Sequence, residues 1–127
     1  MERAVQVFAI INFVIIGLSH IFQTHAWVDF FVPLRERGRA GVFVAAFMSL
    51  WFGSIVVAFH NVWTGIPIVL TLLGWAQVLK ALIYFVFPEF GLRKLQTPSH
   101  ERAHLFVYPG VVFLVLAGLL GYHLFAA

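Results

Sequence analysis

The chain has 127 residues, 62% hydrophobic and 10% charged, with a mean hydropathy of +0.98. Soluble domains carry about 25% charged residues, so the composition excludes an ordinary soluble enzyme, a disordered chain and a nucleic-acid binder. It points to an all-α integral membrane protein. Eight basic and five acidic residues leave a net charge of +3, and the lack of cysteine excludes disulfides, thiolate metal sites and iron–sulfur clusters.

Crossing the hydrocarbon core takes roughly 20 apolar residues in a helix. Four runs reach that length: about Ala4–Thr24, Gly41–His60, Ile66–Phe87 and His104–Phe125. They are too long and too continuous for barrel strands, so a single domain over residues 1–127, a bundle of four transmembrane helices, is predicted. The first run exceeds the roughly 7–15 apolar residues of a cleavable signal and follows Met1-Glu2-Arg3, which has no net side-chain charge. It reads as a retained helix with Asn12, Ser19 and Gln23 on one face. In the following connection, Trp27–Phe31 is expected to lie in the membrane interface, with Pro33 and Gly38 breaking the segment.

The second run carries Ala45, Ser49 and Gly53 at intervals of four, with His60 nearly on the same face. Small residues in such a stripe let helix backbones approach. Asn61–Gly65 then forms a tight turn with Trp63 at headgroup level. The third run places Gln77, Lys80 and Tyr84 on one face beside Gly74, and Leu70→Ala is expected to matter less than Gly53→Leu if Leu70 faces lipid. Pro88 and Gly91 stop it. Ser99, with Arg102 one turn on, starts the fourth run, whose small residues are Ala117 and Gly121. The two small-residue stripes are expected to pack within the bundle, with a homo-oligomer contact as the rival reading. Polar groups in lipid seek partners, so the polar stripes of the first and third runs are expected to face inward and pack against each other.

Arg35, Arg37, Arg39, Arg93, Lys94 and Arg102 fall in the first and third connections, against Arg3 alone on the other side. Positive loops stay in the cytoplasm, which predicts both termini outside a bacterial-type inner membrane.

Lys80 is the one formal charge well inside a span, about 10 Å from the cytoplasmic end of its helix. An intramembrane ionisable residue marks a functional site by default; the competing reading is a side chain snorkelling to the headgroups. Ser19 and His20 lie at nearly the same depth. The predicted ligand-binding set is therefore Asn12, Ser19, His20, Gln77, Lys80 and Tyr84, lining a pocket for a lipid-like or quinone-like ligand. Six histidines raise a second possibility, because histidines on facing helices hold haem or metal. His20 with His104 is the first candidate pair and His60 with His123 the second. His104 and His123 point about 100° apart on one helix, which argues against two haems. All five acidic residues lie outside or at the edges of the spans, which argues against a proton-coupled transporter.

In size and four-helix layout the chain resembles the glutathione-handling membrane enzymes of eicosanoid metabolism, which carry an Arg-rich motif with Asn and Glu in the second helix. Glu101-Arg102-Ala103-His104 is the one echo, it precedes the fourth run, and no site residue transfers. The leading expectation is a non-catalytic accessory subunit or ligand binder. A haem- or metal-binding redox protein and an oligomeric transporter or channel with Lys80 on its path are the alternatives. Expected partners are membrane lipid and a homo-oligomer or larger membrane complex, without nucleic acid.

Overall fold

The computed structural model describes residues 1–125, and these are helical nearly throughout, with no strand among them; residues 126–127 of the single-domain reading lie outside the described residues. Four helices are long and apolar enough to cross a membrane: α1 (Glu2–Phe22), α3 (Arg39–Phe59), α4 (Ile68–Val86), and α6 (Val107–Phe125) extended by a 3₁₀ turn at His100–Phe106. All four match the predicted spans to within a few residues at each end. Two short helices, α2 (Thr24–Glu36) and α5 (Pro88–Leu95), fill the two long connections.

Local chemistry sets the breaks, and not all fall where the sequence placed them. Pro33 sits inside α2 and does not end it. The break comes at Gly38, whose φ of 63° is a left-handed value that favours glycine. Pro88 opens α5 at its first turn, where its missing N–H would have had no helical partner. Gly91 lies within α5 and does not terminate a helix; a side chain there would collide with Val42 and crowd the Tyr84 ring. Ser99 caps the 3₁₀ turn by accepting the Arg102 backbone N–H at 3.2 Å, as its spacing predicted.

The bundle is built from two helix pairs, α1 with α6 and α3 with α4. Each pair crosses at glycines. An added Cβ on Gly53 of α3 would lie 2.8 Å from the Val78 backbone nitrogen and 2.9 Å from the Gly74 carbonyl oxygen of α4. An added Cβ on Gly110 of α6 would lie 2.8 Å from the Gly17 carbonyl oxygen of α1. Close backbone approach through small residues is how helices long and apolar enough to cross a membrane pack together.

This pairing corrects three expectations. The polar stripes of α1 and α4 do not form an interface, because each helix gives its main contact to a different partner. Gly121 faces open space, so the stripe on α6 is carried by Gly110 and Ala117 instead. Leu70 does not face lipid; it is 1% exposed in a core with Val5, Ala9, Phe13, Val56, Ala117 and Leu120 that joins all four spans. A second core, Leu34, Val42, Ala46, Tyr84 and Leu95, joins α2, α3, α4 and α5 at the basic end of the bundle.

Candidate functional site

At the basic end the two helix pairs leave a cavity of about 280 Å³ between them. Ala45 of α3 and Lys80 and Tyr84 of α4 form one wall. Leu105 and Phe106 of the 3₁₀ turn and Pro109 of α6 form the other, and Phe31 of α2 adds to the lining. Lys94, Leu95, Thr97, Pro98 and Arg102 close the rim. The lining is thus mostly apolar, with three cations and no carboxylate.

Each cation reaches the cavity for a reason in its own element. Lys80 lies six residues before the end of α4, about 9 Å up the helix from that end. Its Nζ sits 5.4 Å from the centre of the Tyr84 ring one turn on, a cation–π contact that holds the ammonium along the helix. Lys94 is in the last turn of α5, where the helix dipole favours a positive charge. Arg102 is placed by the Ser99 cap. The ion pairs among the described residues are Arg39–Glu89, at 4.0 Å and exposed, and His100–Asp29, so none of the three cavity cations has a carboxylate partner there.

Of the predicted ligand set, only Lys80 and Tyr84 line this cavity. Asn12 turns back to donate to the Phe8 carbonyl at 2.8 Å, satisfying itself within its own helix. Ser19 accepts the Trp27 indole N–H at 2.9 Å and so ties α1 to α2. Gln77 packs its stem at the Gly53 crossing. His20 is buried in an aromatic nest of Trp27, Phe106 and Phe113, with ring centroids 4.1–5.8 Å away. Its Nδ1–H donates to the Ile16 carbonyl at 2.8 Å, which leaves Nε2 with its lone pair. The rings around His20 are those of Trp27, Phe106 and Phe113, while His104 is exposed on the 3₁₀ turn. Among the described residues no group of three or more His, Cys, Asp or Glu is gathered as a metal would need.

The opposite end holds a buried polar network that the sequence reading missed. His60, which follows the last residue of α3, is fully buried, as is Thr71 of α4, and Gln6 of α1 is nearly so. The Thr71 hydroxyl donates to the Val62 carbonyl at 2.7 Å, so its oxygen accepts from His60 Nδ1–H at 3.0 Å. His60 Nε2 is then the acceptor for the Gln6 amide N–H at 2.9 Å. Both ring nitrogens are occupied in the neutral imidazole, and burial pushes its pKa below the ordinary histidine value. His60 therefore has no free nitrogen for the His60–His123 pair considered from sequence. The signal for Gln6 was present: it shares one face with Ala9, Phe13, Gly17 and His20 at helical spacing, and that face, rather than Asn12–Ser19–Gln23, is the buried side of α1.

A third cluster lies on the surface of the basic end. His25 and His100 stack with their Nδ1 atoms 2.7 Å apart, and His100 Nε2–H donates to Asp29 at 3.1 Å. It joins α2 to the 3₁₀ turn and leaves the cavity to the other side chains. Comparison with family models, curated proteins and solved structures gives no match.

Proposed function

We propose that the chain is a multi-pass membrane protein that binds a lipid-like ligand in the cavity between its two helix pairs, as a binder or accessory subunit rather than a catalyst. The observation that carries this reading is the lining itself: aromatic and aliphatic walls along the spans, with cationic groups toward one end. That distribution matches an amphiphile with its tail among the helices and its polar head at the rim. Basic residues in the first and third connections support an orientation with this end in the cytoplasm and both termini outside a bacterial-type inner membrane. The site is narrower than the sequence suggested. It uses Lys80 and Tyr84, while Ser19, His20 and Gln77 pack between helices and Asn12 is bonded within its own.

The test is co-purified lipid, measured by native mass spectrometry on wild type, Lys80→Met and Lys80→Arg. Lys80→Met keeps the stem and removes the charge, so ligand content falls while thermal stability holds or rises. Lys80→Arg retains part of it at most, because the bulkier guanidinium does not match the ammonium's position. Equal ligand content in all three reduces Lys80 to a snorkelling residue and removes the reading. A reporter fused near the C-terminus, active only on the periplasmic side, tests the orientation.

A second reading rests on His20, whose Nδ1–H is tied to a carbonyl and whose Nε2 is left to accept, the arrangement of an imidazole that ligates a metal or haem iron. A visible absorption spectrum of the purified protein that changes with His20→Ala supports it. A spectrum without a chromophore band removes the haem form of it.

A further inference from the structure

We infer that the head bound at the cavity rim is a phosphate monoester borne by a membrane lipid. The inference rests on the lipid-binding reading above and sharpens it. Lys80, Lys94 and Arg102 come from three different elements, and none has a carboxylate within ion-pair distance among the described residues. Three cations without a carboxylate partner line one small volume and repel one another, and all three residues are exposed, so each can meet a ligand from outside. The arrangement is relieved by one ligand carrying more than a single negative charge and enough acceptor oxygens to meet three donors from different directions.

Among common headgroup chemistries a phosphate monoester has those properties. It carries about −1.5 to −2 charge near pH 7 and three strong acceptor oxygens. A carboxylate offers one charge and two oxygens, and a zwitterionic head brings a cation of its own into a cationic site. Arginine suits such a group by its planar fork of donors, and lysine binds it as a point charge. The Thr97 hydroxyl adds a neutral donor at the same rim. Size decides between a whole lipid and its head. At about 280 Å³ the cavity falls below the roughly 300–1,000 Å³ of sites that enclose a drug-sized molecule. It holds a headgroup and the first methylenes, and the acyl chains run out between the helix pairs into the bilayer.

The experiment uses the full chain, delipidated in detergent and titrated separately with phosphatidic acid, phosphatidylglycerol, phosphatidylcholine and inorganic phosphate, with bound species counted by native mass spectrometry. Phosphatidic acid binds about tenfold more tightly than phosphatidylcholine, with phosphatidylglycerol between them, on the scale of one charge-assisted hydrogen bond. Lys80→Met and Arg102→Gln each remove most of that preference, and Arg37→Gln, an exposed cation outside the cavity, preserves it. A melting curve for each variant separates a lost site from a lost fold. Equal affinity for phosphatidylcholine and phosphatidic acid, with no response to either cavity substitution, overturns the phosphate inference and leaves lipid binding standing. Failure to bind any of the three lipids overturns lipid binding as well. Uptake of inorganic phosphate at lipid-competing strength overturns the lipid as the source of the group.

Discussion

The two ends of the bundle solve opposite problems with similar materials. At the end holding both termini, polar groups are buried and committed: His60 uses both ring nitrogens, Thr71 both donates and accepts, and Gln6 leaves only its Oε1 without a partner. At the basic end, Lys80, Lys94 and Arg102 line a cavity with no carboxylate partner among the described residues, the two lysines held only over the Tyr84 and Phe90 rings. A committed polar network rigidifies a core and fixes helix register, whereas uncommitted charge is available to a ligand. The comparison teaches that a polar side chain in a membrane bundle is no guide to function until its partners are counted.

The sharpest way to break this comparison lies at the helix crossings on which both ends depend. Gly53→Leu forces a side chain against the α4 backbone, where nothing can rotate away. It is expected to cost more than the about 1–3 kcal/mol typical of overpacking. Gly121→Leu on α6 meets open space and leaves the melting temperature in detergent unchanged. Equal melting temperatures for the two variants would falsify the α3–α4 crossing. Leu70→Ala is next, at about 3 kcal/mol, because the site is buried in the core shared by all four spans.

His60→Leu tests the committed end. It strips Gln6 and Thr71 of a buried partner, at about 2 kcal/mol. It also changes the response to pH. Because burial holds the folded-state pKa of His60 below its unfolded value, the unfolded chain takes up the proton first. The stability tied to neutral His60 is present above about pH 6.5 and is lost as pH falls from there through the folded-state pKa. Wild type should therefore lose stability across that acid window more steeply than His60→Leu, measured by thermal melts at stepped pH. Parallel curves would show that the acid response belongs to other groups. The smallest effect is expected at Arg39→Ala, whose partner Glu89 is 4.0 Å away with both side chains more than 70% exposed. Such a pair contributes about 0–1 kcal/mol, and a larger loss would reassign Arg39 to something other than a surface contact.

The spans were legible because length and hydropathy alone report the thickness of a bilayer. The helix partners were not, because residues at four-residue spacing show which face is small without showing whose face it meets. Gly53 was identified as a contact residue, but Gly17 and Gly110 were read only as parts of apolar runs. Lys80 stood out because charge within a span is costly, and Tyr84 followed by spacing. Lys94 and Arg102 were counted as topology signals, since nothing in a linear sequence folds a connection back over the cavity. The helix α2 was hidden for a similar reason: Pro33 reads as a breaker, yet it is accommodated near the helix end, where α2 puts Leu34 into one core with Val42 of α3.

The pairing of helices has a consequence for how the protein is made. Helices α3 and α4 are consecutive, joined by a short turn, and can dock as a hairpin soon after both have left the ribosome. Among the described helices α1 is synthesised before the hairpin, and its main partner α6 after it. Until α6 has been translated, the Gly17 face of α1 is without the backbone it is shaped to meet. The partner already available to it is the His60 end of the hairpin, which Gln6 reaches from the first turns of α1. In the folded chain that hydrogen bond ties the register of α1 to the α3–α4 hairpin independently of α6. In this order of assembly, a chain interrupted before residue 107 leaves a completed α3–α4 hairpin beside an unpaired first helix, the form most exposed to mispairing and to quality-control proteolysis.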